Sequence, residues 1–432
     1  MQQNQNMKKI SLFFLLIFSI GLYAQDTLTV LQYNLLNYGN ITSYCTSSNN
    51  NINDKDEYLK KIINYIRPDI FTVNEMSKSP AIHQHFLDKV LNTGGVSYYR
   101  KANFLSEADS YLVNMLYYNS MKLRFHSHTI AQSYIRDVDV YKLYYYSNDL
   151  EQGDTAFVIC VVAHLKASSG TVNSNKRKVM AQNTMNYLNN YDDDNNYMMM
   201  GDFNLYSDEE PAYTQFLYYS NPLLRFNDPI EQSGAWHNNY TYRNIHTQST
   251  HTESNGCAST GGMDDRFDFI LIADNIKNGT KNVKYVPGTY HAVGQDGKHF
   301  NQSLISSPAN TTVPSDVLNA LYHNSDHLPV TLKLEVDKTL GINEWENSVL
   351  EEVNMVNPVN ANLNLAITSK KHSTLKVDII SLAGQILITK QYVVNKGQTA
   401  LSMPVTNLIP GLYLVRFTDG QSVSVVRKMV KR

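Results

Sequence analysis

Apolar positions along this chain follow two rhythms that take turns. Residues 28–33 alternate as a strand does, whereas 54–66 place Tyr58, Leu59, Ile62, Ile63 and Ile66 at helical spacing. Pro68 stops that helix, because the residue before a proline is pushed out of the α region, and 70–73 follow as a buried strand. Residues 115–118, 138–146 and 157–162 read as further strands and 175–188 as a helix. Three more strands fall at 197–200, 267–272 and 328–336. One small sheet cannot hold so many strands. The alternation predicts an α/β fold of two sheets with outer helices. No internal repeat is visible.

Beyond residue 357 the rhythm changes. Short strands are expected at 363–367, 375–380, 386–392, 411–417 and 423–429, with turns at Gly384, Asn395-Lys396-Gly397 and Asp419-Gly420. This predicts a small C-terminal β-sandwich over 358–432, without clustered catalytic residue types and therefore structural or targeting in role. Residues 338–357 have little periodicity and are expected to be a linker. Charge supports the division: 358–432 hold 10 basic and 2 acidic residues, whereas 25–357 hold 25 basic and 37 acidic.

The first residues set the compartment. Lys8-Lys9, an apolar stretch from Ile10 to Leu22, and Tyr23-Ala24-Gln25 form a secretory signal, so 1–24 are expected to be removed. The apolar core is too short to span a bilayer, which predicts a secreted monomer without stable membrane insertion. Residues 25–337 then make the main domain. Cys160 lies inside an apolar run and reads as a core residue, whereas Cys45 and Cys257 lie in polar loops and could pair once exported. No Cys/His spacing suits structural zinc. The 30 tyrosines fit a polar extracellular surface, with platforms for bases or lipid as the sharper alternative.

Polar residues able to do chemistry sit at the exits of the apolar runs. Asn34 follows Leu31-Gln32-Tyr33, Glu75 follows Thr72-Val73-Asn74, and His164 follows Val161-Val162-Ala163. Gly201-Asp202-Phe203-Asn204 ends another run, Asp268 lies in Arg266-Phe267-Asp268-Phe269, and Ser325-Asp326-His327 opens the last strand. Singly, each has an ordinary use as a cap, an ion pair or a hydrogen bonder. Jointly, strand-end acids, amides and histidines without a catalytic Ser or Cys motif point to metal-assisted hydrolysis of a phosphate ester. Mg²⁺, or Mn²⁺ or Ca²⁺ in its place, binds through a few carboxylates; Glu75 and Asp326 suit it, with Asn34 in support. His327 paired with Asp268 is the candidate base. Asp202 would orient the nucleophile, Asn204 would donate to a phosphate oxygen, and His164 would donate to the phosphate or assist the leaving group. Arg136 could reach substrate phosphate from a neighbouring loop, while His291, Asp296 and His299 read as loop residues.

The series Gln32-Tyr33-Asn34, Asn74-Glu75, Gly201-Asp202-Phe203-Asn204, Arg266-Phe267-Asp268 and Ser325-Asp326-His327 resembles the endonuclease/exonuclease/phosphatase superfamily over roughly residues 27–337. The resemblance implies a four-layer sandwich of two mixed β-sheets flanked by helices, with a divalent metal at one end. It gives metal binding chiefly to Glu75 with Asn34 and Asp326, the water-activating dyad to Asp268 and His327, and phosphate handling to Asp202 and Asn204. His164-Leu165-Lys166-Ala167-Ser168 is similar to the secreted nucleases of that group, although no acidic partner for His164 is legible. The tail resembles the sorting domain of type IX secretion substrates, through Asn357-Pro358-Val359, Ile380-Ser381-Leu382-Ala383-Gly384, the run Leu408 to Leu414 and Arg427-Lys428-Met429-Val430. That implies the type IX machinery as a partner.

The expectation is therefore a secreted, divalent-metal-dependent hydrolase of phosphodiester bonds, first of all an extracellular nuclease on DNA or RNA. The alternatives are a phosphatase of the same group, a silent surface adhesin, or a lipid phosphodiesterase docking through Tyr98-Tyr99 or Tyr144-Tyr145-Tyr146. The acidic main domain argues against tight non-specific nucleic-acid binding, which comes from Lys/Arg–phosphate neutralisation.

Overall fold

The computed structural model describes residues 26–147, 150, 155–191, 195–338, 349–381, 385–419 and 424–432. The expected leader, the turn residues 382–384 and Gly420 lie outside the described residues. The first half contains β1 (Asp26–Tyr38), α1 (Ile52–Ile66), β2 (Ile70–Ser77), α2 (Pro80–Phe86), β3 (Tyr99–Lys101), β4 (Leu112–Asn119), β5 (Leu123–Gln132) and β6 (Val138–Tyr145). Then come β7 (Phe157–His164), α3 (Thr171–Tyr191), β8 (Tyr197–Asp202), α4 (Pro211–Leu217), β9 (Phe226–Asn227) and β10 (Asp268–Ala273). The body closes with α5 (Asp274–Asn278), β11 (Val283–Tyr285), β12 (His291–Ala292), α6 (Ser315–Asn324) and β13 (Val330–Val336).

These strands form the two expected mixed sheets. One runs β11-β13-β1-β2-β4-β3 with β12 on β13, and the other runs β5-β6-β7-β8-β10-β9. Each contains one parallel pair, β1–β2 and β7–β8, between antiparallel neighbours. The order β13-β1-β2-β4 thus has its counterpart in β10-β8-β7-β6.

Strand β7 shows why the apolar runs are unbroken. Val158, Cys160 and Val162 face a core shared with the other sheet, while Ile159, Val161 and Ala163 face one that contains Met180, Met185 and Leu188 of α3. A strand covered on both faces has no use for polar alternation. Each fully buried aliphatic side chain contributes about 1.5–3 kcal/mol to this packing. Helix α1 starts where Asn51 accepts the Asn53 N–H at 2.9 Å and stops at Arg67 in the left-handed region. Cys45 and Cys257 are joined, tying the loop after β1 to the long β9–β10 connection; Cys160 is free and buried. Among the described residues no helix is long and apolar enough to cross a membrane.

The tail contains β14 (Leu350–Met355), β15 (Asn362–Ser369), β16 (Ser373–Ser381), β17 (Ile386–Val394), β18 (Gly397–Pro404), β19 (Gly411–Thr418) and β20 (Ser424–Lys431). They build antiparallel sheets β14-β15-β18 and β17-β16-β19-β20 over a core of their own, with Leu363, Ile367, Val377, Val415 and Phe417 in it. Of the linker expected over 338–357, residues 339–348 lie outside the described residues and Leu350–Met355 form β14. Leu350 and Val353 are buried, and a register shift between Leu350 and Glu352 breaks the two-residue period that would have marked β14 as a strand.

Candidate active site

Both parallel pairs end at the same place. Register sets Asn34 beside Asn74, His164 beside Asp202, and Asp268 beside Asp202, so the strand ends carry their polar residues to one end of the body. Gly201 makes the β7–β8 pairing possible: at φ +144° a Cβ would lie 1.8 Å from the Ala163 carbonyl oxygen. Glu75 sits at φ +58°, where the β2–β4 register shifts between Val73 and Met76. Such a bulge re-aims a side chain at the cost of local strain.

Asn34 is central. Its Nδ2 donates to Asp202 Oδ2 at 3.0 Å and Glu75 Oε1 at 3.2 Å, and lies 3.4 Å from His327 Nε2. His164 Nε2 stands 3.5 Å from Asp202 Oδ2 and 3.8 Å from Glu75 Oε1. The ligand atoms of Glu75, His164 and Asp202 all lie within 4.8 Å of one another. Asp326, expected as a ligand, is not in this group. Its Oδ2 accepts the Ser259 N–H at 2.8 Å and faces Gln248 Nε2 at 3.3 Å, so one oxygen is already engaged by the loop that carries Cys257.

The dyad forms as expected. His327 Nδ1–H donates to Asp268 Oδ2 at 2.7 Å, since a carboxylate can only accept. Thr247 Oγ1 donates to the same oxygen at 2.7 Å, and Gln248 Nε2 lies 2.6 Å from His327 Nε2. Asn204, at φ +51°, donates through both its backbone N–H and its amide to Asp202 Oδ1, at 3.0 and 2.7 Å. Asn74 Oδ1 accepts the Asp202 N–H at 2.8 Å. Half-buried Arg136 donates to the Leu165 carbonyl at 2.9 Å, one residue beyond His164. His291 is exposed, and buried His299 pairs with Asp296 at 2.9 Å within its own loop.

The charges are unbalanced. Burial, then Asp268 and Glu75, push the Asp202 carboxyl up to about 7, against the pull of His327 and Asn34. Burial disfavours a charged His327, yet the Asp268 and Asp202 carboxylates outweigh it and hold this imidazole well above its ordinary pKa. Burial, with Arg136, His327 and Lys166, holds His164 well below, in the neutral form. Its Nδ1 and Asp268 Oδ1 are buried without a hydrogen-bond partner. The acidic residue missing behind His164 in the sequence is thus missing in the fold among the described residues. Lys55, also buried, donates to the Asn324 carbonyl; burial brings it down to about 7 while Asp326 and Glu75 pull it back up. Thr247, Gln248 and Lys55 are neighbours of the site that the pattern of strand-end residues did not single out.

Residues 357–432 match the family described as the secretion system C-terminal sorting domain. The tail carries an export signal. Its presence indicates passage out of the cell, to the surface or beyond. No curated protein matches the chain. Among solved structures it is similar to TDP2 of D. rerio complexed with single-strand DNA product, at 14% identity and TM-score 0.44, covering 71% of this chain and 98% of that one. It is also similar to an endonuclease/exonuclease/phosphatase from Beutenbergia cavernae, at 13% identity and TM-score 0.39, covering 94% and 99%. The human Nocturnin catalytic domain with bound sulfate is a third, at 13% identity and TM-score 0.43, covering 72% and 97%. Likeness this distant leaves the chemistry to the geometry of the site.

Proposed function

We propose that this protein is a secreted, divalent-metal-dependent hydrolase of phosphodiester bonds, acting first of all as a nuclease on DNA or RNA. The observation that supports it is the meeting, at the ends of two sheets, of a Glu75–His164–Asp202 cluster with an Asp268–His327 dyad closed at 2.7 Å. Two carboxylates, one neutral imidazole and an amide, with no Lys or Arg ion pair to Glu75 or Asp202 among the described residues, are a donor set that suits a hard or borderline divalent cation. A cation held by Glu75, Asp202 and His164 beside Asn34 would neutralise phosphate oxygens and offset the carboxylates that keep His327 protonated.

The chain's own residues then divide the work. His327 Nε2 takes a proton from water, and Asp268 fixes the ring by accepting its Nδ1–H. The amides of Gln248 and Asn34 stand 2.6 and 3.4 Å from Nε2, so the Gln248 amide must yield its place to the attacking water. Asn204 and Arg136 supply donors for the phosphate oxygens from the Asp202 and His164 side. We further propose that this work belongs to residues 25–337, and that the sorting tail, beginning with β14, takes no part in it.

The runs expected to dock on lipid are only partly available, with Tyr98, Tyr144 and Tyr146 half-buried. Tyr99 and Tyr145 are buried within β3 and β6, with the Tyr99 hydroxyl donating to the Pro68 carbonyl at 2.9 Å. The test is full-length protein with Mg²⁺, with and without chelator, on plasmid DNA, RNA and sphingomyelin side by side. Chelator-sensitive nucleic-acid cleavage supports the reading, whereas cleavage of lipid alone would replace it.

A further inference from the structure

A second cluster of ligand groups lies outside the centre just described. His237, Asp264 and Asp265 place one ligand atom each within 4.8 Å of one another. His237 Nδ1 stands 2.5 Å from Asp265 Oδ1, with the imidazole half-exposed and the Asp265 side chain only 13% exposed. Three separate stretches of chain hold them there through backbone bonds. The Asn238 N–H donates to the Asp264 carbonyl at 2.8 Å, and the N–H groups of Asp264 and Asp265 both donate to the Gln248 carbonyl at 2.9 Å. The Thr247 and Gln248 N–H groups return bonds to the Asp265 carbonyl at 2.7 and 3.0 Å. The Tyr206 and His237 rings meet in a T-shaped contact, with centroids 5.0 Å apart.

The His237 imidazole is the charge partner that the pair of acids has. Among the described residues no Lys or Arg is in ion-pair range of Asp264 or Asp265. The adjacent Arg266 turns away, its guanidinium bound to both oxygens of Asp228 at 2.6 and 2.9 Å. Burial pushes the Asp265 carboxyl up to about 6 and also raises Asp264, as expected of two adjoining acids short of positive charge.

We propose that His237, Asp264 and Asp265 form a second divalent cation site at the rim of the cleft. One imidazole nitrogen with two carboxylates suits a first-row transition ion such as Mn²⁺ or Zn²⁺. The site fastens the 237–246 stretch to the segment before β10, whose Asp264 and Asp265 N–H groups bond the carbonyl of Gln248, the residue whose amide meets His327. It does not depend on what the Glu75 centre hydrolyses.

Counting bound Mn²⁺ by electron paramagnetic resonance on the full-length, chelator-stripped protein tests it. Wild type is expected to bind two ions, His237→Ala one and Glu75→Gln one, with the double variant binding none. His237 is half-exposed, so its removal is expected to leave the fold intact; Asp264→Asn gives an independent second loss. A His237→Ala protein that keeps the wild-type count overturns the rim site, as does a wild type whose only ion disappears with Glu75→Gln. A wild type whose only ion disappears with His237→Ala upholds the rim site and removes the Glu75 centre instead, so the two assignments fail separately.

Discussion

Asp202 and Asp378 are both aspartates on strands with almost no exposed side chain, and they could hardly be more differently treated. In the tail, Asp378 Oδ2 receives Arg416 at 2.6 and 3.1 Å, and its Oδ1 receives the Thr389 hydroxyl at 2.7 Å. Burial would raise that carboxyl, but the Arg416, Thr389 and Lys376 hydrogen bonds win and hold it below the usual range. In the body, Asp202 lies among Glu75, Asp268, His164 and His327, and its carboxyl is pushed up to about 7. A buried charge that is fully answered holds a fold together. A set of buried acids short of positive charge at strand ends is what the proposed centre would use to meet a cation from outside.

The largest effect expected from that contrast is at Glu75. Glu75→Gln should lower metal affinity by more than about 100-fold, beyond what a supporting residue costs, and remove turnover while the circular dichroism spectrum is kept. Undiminished metal binding in that variant would break the contrast. His327→Ala should cost about 10²–10⁴ in kcat/KM and abolish the basic-group limb of the pH–rate profile. An unchanged profile would take the base away from His327.

A third effect is on stability. The Asp202 carboxyl titrates near 7 in the folded state and near an ordinary carboxylate value of about 3.9 when unfolded. Its contribution is therefore fully present below about pH 4 and is lost as pH rises through about 7. Metal-free wild type should lose thermal stability relative to Asp202→Asn across that window; parallel melting curves for the two would remove the unanswered charge. The smallest effect belongs to the tail. Arg416→Ala should destabilise the tail by about 1–3 kcal/mol, read by denaturant unfolding, and leave hydrolysis untouched.

The difference between the two regions also decides what the sequence made legible. Asn34, Glu75, His164, Asp202, Asp268 and His327 could be found because each ends or opens an apolar run, and β1–β2 and β7–β8 turn those ends toward one point. Which oxygens are free was not legible in the same way. A strand end tells which residue enters the cleft, but not which oxygen is free; Asp326 gives Oδ2 to the Ser259 N–H, 67 residues away in sequence, and keeps Oδ1 without a partner. Thr247 and Gln248 lie in a polar stretch without period, so nothing local marks them as partners of the dyad. Strand β5 went unseen because it is half-exposed, carries two histidines, and shifts register twice against β6. Its His128 meets Asp139 at 2.7 Å in a pairing visible only in three dimensions.

The most direct measurement compares plasmid DNA cleavage by full-length wild type, Glu75→Gln and Arg416→Ala across a Mg²⁺ titration ending in excess chelator. Wild-type cleavage is expected to rise with Mg²⁺ and vanish with chelator, the Arg416→Ala curve to overlay it, and Glu75→Gln to be silent at every concentration. Chelator-resistant cleavage, or a Glu75→Gln protein as active as wild type, would contradict that expectation.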